Sequence, residues 1–213
     1  MNPVLRPYQE KLLADIDQAW LAGYRRPLIV LPTGGGKTIV FAEAIRREAA
    51  QHRKALAIAH RREIIGQTSR KLHDAGVVAG IVMAGAKPRS TLDVQVASVQ
   101  TLFARGIKRE VMSMPPADLG VIDEAHHTPA ASYQKIVEAY PETRWLGFTA
   151  TPERGDGRQV LYGVSAELQR LLEQHDGLSR SVPTRANSVL IEHDVSGSSH
   201  CTNGGDNGGG ELH

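Results

Sequence analysis

A glycine-rich turn separates an apolar run from a helical pattern, and its residues are Leu31-Pro32-Thr33-Gly34-Gly35-Gly36-Lys37-Thr38. The apolar run before it is Leu28-Ile29-Val30, and the helical pattern after it is Ile39-Val40-Phe41-Ala42-Glu43-Ala44-Ile45. Strand, glycine-rich turn and helix together favour phosphate binding, because several backbone N–H groups point into one concavity at the positive end of the helix dipole. We expect Lys37 to reach the β- and γ-phosphates of a nucleotide and the Thr38 hydroxyl to ligate Mg²⁺.

The match is incomplete at one position. The strict pattern has glycine where this chain has Leu31, although three consecutive glycines remain at the tight part of the turn. The alternative interpretation is an ordinary glycine-rich connection between a strand and a helix.

A second stretch carries acidic residues at the end of an apolar run, Val121-Ile122-Asp123-Glu124-Ala125-His126. A strand ending in this way would place a carboxylate opposite the phosphate-binding loop. There Asp123 would hold Mg²⁺, and Glu124 would orient and deprotonate the attacking water. The alternative is an acidic helix N-terminus, where carboxylates favour the positive end of the dipole.

Composition sets broad limits on the protein. The chain has 213 residues, 41% of them hydrophobic, and the single cysteine Cys201 excludes an internal disulfide framework and fits a reducing, cytoplasmic location. No apolar run is long enough to span a membrane, and no signal peptide is expected. Residues 1–158 carry 22 Lys and Arg against 16 Asp and Glu, whereas residues 159–213 carry 3 against 7. The mildly basic part is compatible with a polyanionic partner without requiring one.

Strands that alternate with helices predict an α/β fold, a parallel sheet covered by helices on both faces. The predicted strands are 28–31, 54–59, 77–83, 94–97, 119–122 and 144–148. The predicted helices are 3–23, 37–50, 60–76, 99–104, 130–139 and 164–174. We expect a first domain over 1–158, an extension with one helix over 159–195, and a disordered glycine-rich tail over 196–213. Within 177–195 only Ser188-Val189-Leu190-Ile191 shows periodicity.

The order of these motifs resembles a known family. Gly-Gly-Gly-Lys-Thr, Asp-Glu-Ala-His and Phe148-Thr149-Ala150-Thr151-Pro152 look like motifs I, II and III of superfamily-two helicases and translocases. Arg6-Pro7-Tyr8-Gln9 resembles the adenine-reading element at the N-terminus of this family. Ala59–Glu63 and Ala97–Leu102 resemble its motifs Ia and Ib. The subgroup is the DEAD/DEAH-box group with the XPB-type repair helicases and restriction-enzyme helicase subunits, and the resemblance covers about residues 3–158.

The resemblance implies a RecA-like domain that binds ATP and Mg²⁺. Its implied nucleotide-binding residues are Arg6, Gln9, Pro32, Thr33, Gly34, Gly35, Gly36, Lys37 and Thr38. The implied catalytic residues are Lys37, Asp123 and Glu124. The implied ligands of Mg²⁺ are Thr38 and Asp123. His126, Thr149 and Thr151 would couple the nucleotide state to the nucleic-acid side. The implied nucleic-acid contacts are His60, Arg61, Arg62, Ser98, Gln100 and Thr101, with DNA favoured over RNA.

Each lesser motif also has a simpler interpretation. In that interpretation Gln9 is an exposed residue in the first turn of a helix. Arg61 and Arg62 lie at the solvated start of another helix. Thr149 and Thr151 cap a strand and a turn. The His126-His127 pair suggests a metal, but adjacent side chains diverge and no third ligand has zinc spacing.

The resemblance ends near Gly157. Helicases of this kind bind ATP between two RecA-like domains, and the second domain supplies arginine fingers. No Gln-x-x-Gly-Arg-x-x-Arg motif follows in this chain. We therefore expect a truncated or split first motor domain that needs a second RecA-like domain in trans. Two other functions remain open, namely an ATP-dependent nucleic-acid-binding module without motor activity and a nucleotide hydrolase that acts on another partner.

Overall fold

The computed structural model describes residues 4–87, 89–125 and 131–150, together with the backbone of 188–192. The helices are α1 (Pro7–Leu21), α2 (Lys37–Ala50), α3 (Arg62–Asp74), α4 (Val99–Thr101), which continues as a π-helix (Leu102–Lys108), and α5 (Ala131–Glu138). The strands are β1 (Arg26–Val30), β2 (Ala55–Ala59), β3 (Ala79–Val82), β4 (Val94–Ser98), β5 (Leu119–Asp123), β6 (Arg144–Thr149) and β7 (Ser188–Glu192). No helix among the described residues is long and apolar enough to cross a membrane.

The strands form one parallel sheet in the order β3-β4-β2-β5-β6-β1-β7. Because all strands run in the same direction, their carboxyl ends meet at one edge of the sheet. In an open α/β sheet that edge binds the ligand. The glycine-rich turn follows β1 at this edge, and the acidic pair lies at the end of β5. The predicted α/β fold is confirmed.

The sheet carries a hydrophobic core on each face. In β2, Ala55, Ala57 and Ala59 contribute to the core beneath α1, α2 and α3, while Leu56 and Ile58 contribute to the core beneath α4, the π-helix and α5. Successive side chains of a strand point to opposite faces, so a strand that is buried on both faces is apolar throughout. This explains why the strand sequences are continuous apolar runs, and it confirms the predicted helices on both faces.

Local sequence signals set the ends of α1. Pro7 occupies its first position, where the missing N–H costs nothing. The Gln9 side chain turns back, so that its Oε1 accepts the Arg6 backbone N–H at 2.9 Å. Beyond the helix, Gly23 adopts φ +90°, a conformation that glycine accepts readily. These contacts fix where α1 begins and ends.

Two elements differ from the sequence prediction. The helix predicted over 99–104 is only one α-helical turn long and widens into the π-helix, and a seventh strand forms at Ser188–Glu192. That strand pairs with β1, with Ser188 opposite Arg26 and Glu192 opposite Val30. The sheet therefore extends beyond residue 158. The helix predicted over 164–174 and the tail predicted over 196–213 lie outside the described residues.

Candidate active site

The glycine-rich loop begins where β1 ends. Leu31 is fully buried, and its backbone N–H donates to the Thr149 carbonyl of the neighbouring β6 at 3.0 Å. The Leu31 side chain therefore belongs to the core. This explains how the loop accepts leucine where the strict pattern has glycine, because the turn itself starts one residue later.

The turn has the conformation that its glycines permit. The Gly35 N–H donates to the Pro32 carbonyl at 2.9 Å, and Gly34 has φ +83°, as the third residue of a type II turn requires. Gly36, at φ +74°, precedes α2. The Lys37 Nζ donates to the Leu31 carbonyl at 3.3 Å, so the ammonium group lies over the loop.

The loop offers several backbone donors. Among the described residues, no hydrogen bond uses the backbone N–H of Gly34, Gly36, Lys37 or Thr38. The first N–H groups of a helix have no partner within the helix, and they carry the positive end of its dipole. Anionic oxygens are the natural acceptors for such a group of donors.

The start of α1 packs directly against this loop. The Tyr8 hydroxyl donates to the Gly35 carbonyl at 3.0 Å. A Cβ atom at Gly36 would lie against Nε2 of Gln9, and the positive φ of Gly36 favours glycine there. Gln9 is only 2% exposed. The interpretation of Gln9 as an exposed first-turn residue is therefore wrong, and the structure brings Gln9 to the loop, with exposed Arg6 beside it.

The acidic pair lies two strands away from the loop at the same edge. Asp123 is opposite Phe148 of β6, and Phe148 is opposite Ile29 of β1. Neighbouring strands are about 4.8 Å apart, so the backbones of Asp123 and β1 are separated by about 10 Å. The acidic pair and the strand that leads into the glycine-rich loop are therefore two strand spacings apart.

The backbone at the acidic pair is strained. Glu124 has φ +56°, which is uncommon for a residue other than glycine, and its N–H donates to Asp123 Oδ1 at 3.0 Å. Tyr133 of α5 lies beneath the pair. The pKa of its hydroxyl is raised to about 12, mainly by burial and in addition by the negative charges of Asp123 and Glu124. Asp123 and Glu124 are themselves partly exposed, whereas Tyr133 is buried.

Of the three predicted coupling residues, only Thr149 is described. It is the last residue of β6 and is fully buried between the glycine-rich loop and the acidic strand. Its neighbours across the sheet are Val30 and Leu31 of the loop strand. His126, with the adjacent His127, and Thr151 lie outside the described residues.

The predicted nucleic-acid residues lie together at the other half of this edge. Gln100 donates from Nε2 to the His60 carbonyl at 2.9 Å, which connects the end of β2 to the region after β4. Arg62 Nη2 donates to the Ala84 carbonyl at 3.1 Å, and the Ala84 N–H donates to Thr101 Oγ1 at 3.3 Å. Motifs Ia and Ib and the loop after β3 thus form one hydrogen-bonded unit, which we call the Ia–Ib edge.

Only part of the Ia–Ib edge faces solvent. His60, Arg61, Arg62 and Gln100 are exposed, whereas Ser98 and Thr101 are 6% and 7% exposed. The Ser98 hydroxyl donates to Gln100 Oε1 at 2.7 Å and accepts the Thr101 N–H at 3.4 Å. The hydroxyls of Ser98 and Thr101 thus make hydrogen bonds within the Ia–Ib edge, and their contact with nucleic acid stays a prediction.

The donor set fits Mg²⁺ carried by a nucleotide. Within the part of the chain that the structure describes, no three His, Cys, Asp or Glu side chains are grouped to hold a metal by themselves. Mg²⁺ is usually bound by one or two protein oxygens together with phosphate oxygens and water. The Thr38 hydroxyl and the Asp123 carboxylate, at the same edge of the sheet, are donors of that kind.

The fold and the ordered motifs match the N-terminal RecA-like domain of superfamily-two helicases. The family model described as "Type III restriction enzyme, res subunit" matches residues 2–154. The chain belongs to this family, as the sequence resemblance predicted.

Relatives and solved structures agree with this placement. The chain is 32% identical to the putative ATP-dependent helicase IRC3 of Saccharomyces cerevisiae, over 91% of this chain and 30% of that protein. It is 30% identical to the DNA 3'-5' translocase XPB2 of Sulfurisphaera tokodaii, over 75% of this chain and 34% of that protein. The fold matches the Hef helicase domain of Pyrococcus furiosus with a TM-score of 0.59 at 21% identity, over 88% of this chain and 38% of that one. The chain thus spans about 30% of the length of the two curated relatives named above.

Proposed function

We propose that this chain is the ATP-binding first motor domain of a DNA helicase or translocase. The observation that supports this most is the convergence of the glycine-rich loop and the acidic pair on one edge of the sheet, with the Ia–Ib edge beside them. A simple glycine-rich connection, or an acidic helix start, would not require the two motifs to meet.

In this proposal different groups of the chain bind the phosphates, the adenine, the metal ion and the attacking water. The free N–H groups of the loop and the Lys37 ammonium bind the phosphates, and Gln9 and Arg6 hold the adenine. Thr38 and Asp123 would hold Mg²⁺, which neutralises charge that develops on the phosphates. Glu124 orients the attacking water and accepts its proton.

The nucleic-acid partner is proposed for the Ia–Ib edge. Arg61 and Arg62 are exposed there, and Gln100 fixes the position of His60. Such positively charged groups contact the phosphate backbone of a strand without reading its sequence. DNA is favoured as the partner because the similar XPB2 protein is named a DNA translocase. Thr149, with His126 and Thr151, would transmit the nucleotide state to this edge.

Full activity is proposed to need a second RecA-like domain. In related hydrolases an arginine finger increases the rate by ~10³–10⁵. We expect such a residue to come from a domain outside these 213 residues, either in trans or from the remainder of a longer protein. The isolated chain then binds Mg-ATP but hydrolyses it slowly and does not unwind duplexes.

The test compares wild type with Glu124→Gln, with a second RecA-like domain supplied in trans. We expect the variant to bind Mg-ATP as tightly as wild type and to lose hydrolysis, because only the group that activates water is changed. Glu142→Gln is the matched control, since the Glu142 side chain is 87% exposed and forms a surface ion pair with Arg25. Phosphate release and nucleotide binding are measured for all three proteins. Equal turnover in wild type and Glu124→Gln would contradict the assignment.

A further inference from the structure

Tyr8 makes a contact that none of the assigned roles uses. It lies in the first turn of α1, and its hydroxyl reaches across to the Gly35 carbonyl, 27 residues later in the chain. The Tyr8 side chain is half-buried against the core beneath α1, α2 and α3, so the packing of its ring fixes the position of the hydroxyl.

The acceptor belongs to a peptide group that is easily turned. Glycines stand on both sides of the Gly35–Gly36 peptide, and glycine populates positive and negative φ with similar ease. A peptide between two glycines can therefore rotate by half a turn at little cost. One orientation presents its N–H to the concavity of the loop, and the other presents its carbonyl oxygen.

The hydrogen bond from Tyr8 selects between these orientations. A trans peptide is planar, so its C=O and N–H point in opposite directions. While the Gly35 carbonyl accepts from Tyr8 on the α1 side, the Gly36 N–H must point away from α1. That N–H has no acceptor among the described residues.

We propose that Tyr8 is a positioning residue of the nucleotide site, which holds the Gly35–Gly36 peptide with its N–H directed at the phosphates of the bound nucleotide. The proposal rests on the proposed function of the loop. Two neighbouring residues of α1 then have different roles, because Gln9 contacts the base and Tyr8 orients the loop that binds the phosphates. Loss of the Tyr8 hydroxyl lets the peptide turn, so that a carbonyl oxygen faces the anionic phosphates.

Tyr8→Phe tests this, because it removes the hydroxyl and keeps the ring. Binding is measured by calorimetry with Mg-ATP, Mg-GTP and Mg-tripolyphosphate, a probe that has no base. We expect all three affinities to fall by the same factor, about five-fold, which is the usual net effect of one hydrogen bond. Gln9→Ala should instead weaken Mg-ATP by a larger factor than Mg-tripolyphosphate, because Gln9 is assigned to the base.

The control variant is Tyr24→Phe, which alters a half-buried tyrosine beside the opposite, amino-terminal edge of β1. It should bind all three ligands as wild type does. Thermal unfolding without ligand reports any general loss of stability, and a shift of more than about 4 °C for Tyr8→Phe would indicate more than one lost hydrogen bond and would count against the proposal.

The outcomes separate this inference from the proposed function. Equal affinities in wild type and Tyr8→Phe overturn the inference and leave the function intact. A loss confined to Mg-ATP also overturns it, since Tyr8 would then act on the base. A wild-type chain that binds neither nucleotide nor tripolyphosphate overturns the proposed function and the inference together.

Discussion

Single residues decide how this edge of the sheet is built, and two of them break local rules. Leu31 stands where glycine is expected. Its side chain is buried and its N–H donates to the Thr149 carbonyl, so this position belongs to the end of the strand and not to the turn. Glu124 adopts a positive φ at a cost of about 1–3 kcal/mol, and such strain concentrates at functional sites. The sequence identified both positions. It could not show their conformations, because these depend on strands that are distant in the chain.

Glu43 provides a prediction at this scale. It is 5% exposed in α2 and accepts hydrogen bonds from Arg46 at 2.7 and 2.8 Å and from Arg47 at 3.1 Å. The hydrogen bonds from Arg46 are the main cause that lowers the pKa of Glu43 below 4.5, and those from Arg47 add to the effect. A lowered pKa in the folded state stabilises the fold above the unfolded value of about 4.5, and this contribution disappears as the pH falls through the folded value.

We expect Glu43→Gln to reduce the free energy of unfolding by about 1–3 kcal/mol at neutral pH, because charged hydrogen bonds are lost. The difference from wild type should shrink as the pH is lowered below 4.5. Denaturant titrations across this pH range measure it, with Glu138→Gln as a control on an exposed pair. A difference that stays constant with pH would show that the ionised form of Glu43 is not what stabilises α2.

At the scale of secondary-structure elements, the hydrophobic pattern of the sequence predicts the strands that are buried on both faces of the sheet. The six strands predicted in the first 158 residues are present, each with ends shifted by a residue or two. The π-helix was missed because the hydrophobic pattern of the sequence does not distinguish its turn from an α-helical one. Strand β7 was missed because its register is set by β1, more than 150 residues earlier in the chain, and its own pattern is short.

The Ia–Ib edge leads to a prediction about charge. Each phosphate contact releases condensed counterions, so affinity for a nucleic acid should fall steeply as salt increases. We expect Arg61→Ala to weaken binding of a single-stranded DNA oligonucleotide and to reduce the slope of log affinity against log salt by about 0.7. Arg61 is substituted instead of Arg62 because Arg62 also donates a hydrogen bond to the Ala84 carbonyl, so its loss would change the structure as well as the charge.

The control for this measurement is Arg25→Ala, which removes the same charge just before β1, at the opposite edge of the sheet. It should leave the salt slope unchanged. A wild-type affinity that does not respond to salt would indicate a nucleotide hydrolase that acts on something other than nucleic acid.

For the whole molecule, the strand order explains how the two halves of the edge can communicate. β5 carries the acidic pair and lies directly beside β2, with Ile122 opposite Ile58. His60 therefore follows β2 about one strand spacing, roughly 5 Å, from the end of β5. The sequence predicted that the motifs would share an edge. It could not predict their lateral order, because that order is set by which strands pair.

The central claim is that Lys37 and the acidic pair serve one pocket that holds a metal-bound triphosphate. Calorimetric titration of ATP, with Mg²⁺ and with EDTA, into wild type, Lys37→Ala and Asp123→Asn tests this most directly. We predict that Mg²⁺ strengthens binding to wild type, that Asp123→Asn abolishes this gain while matching wild type in EDTA, and that Lys37→Ala loses binding in both conditions. Absence of heat with wild type, or a full Mg²⁺ gain in Asp123→Asn, would contradict the claim.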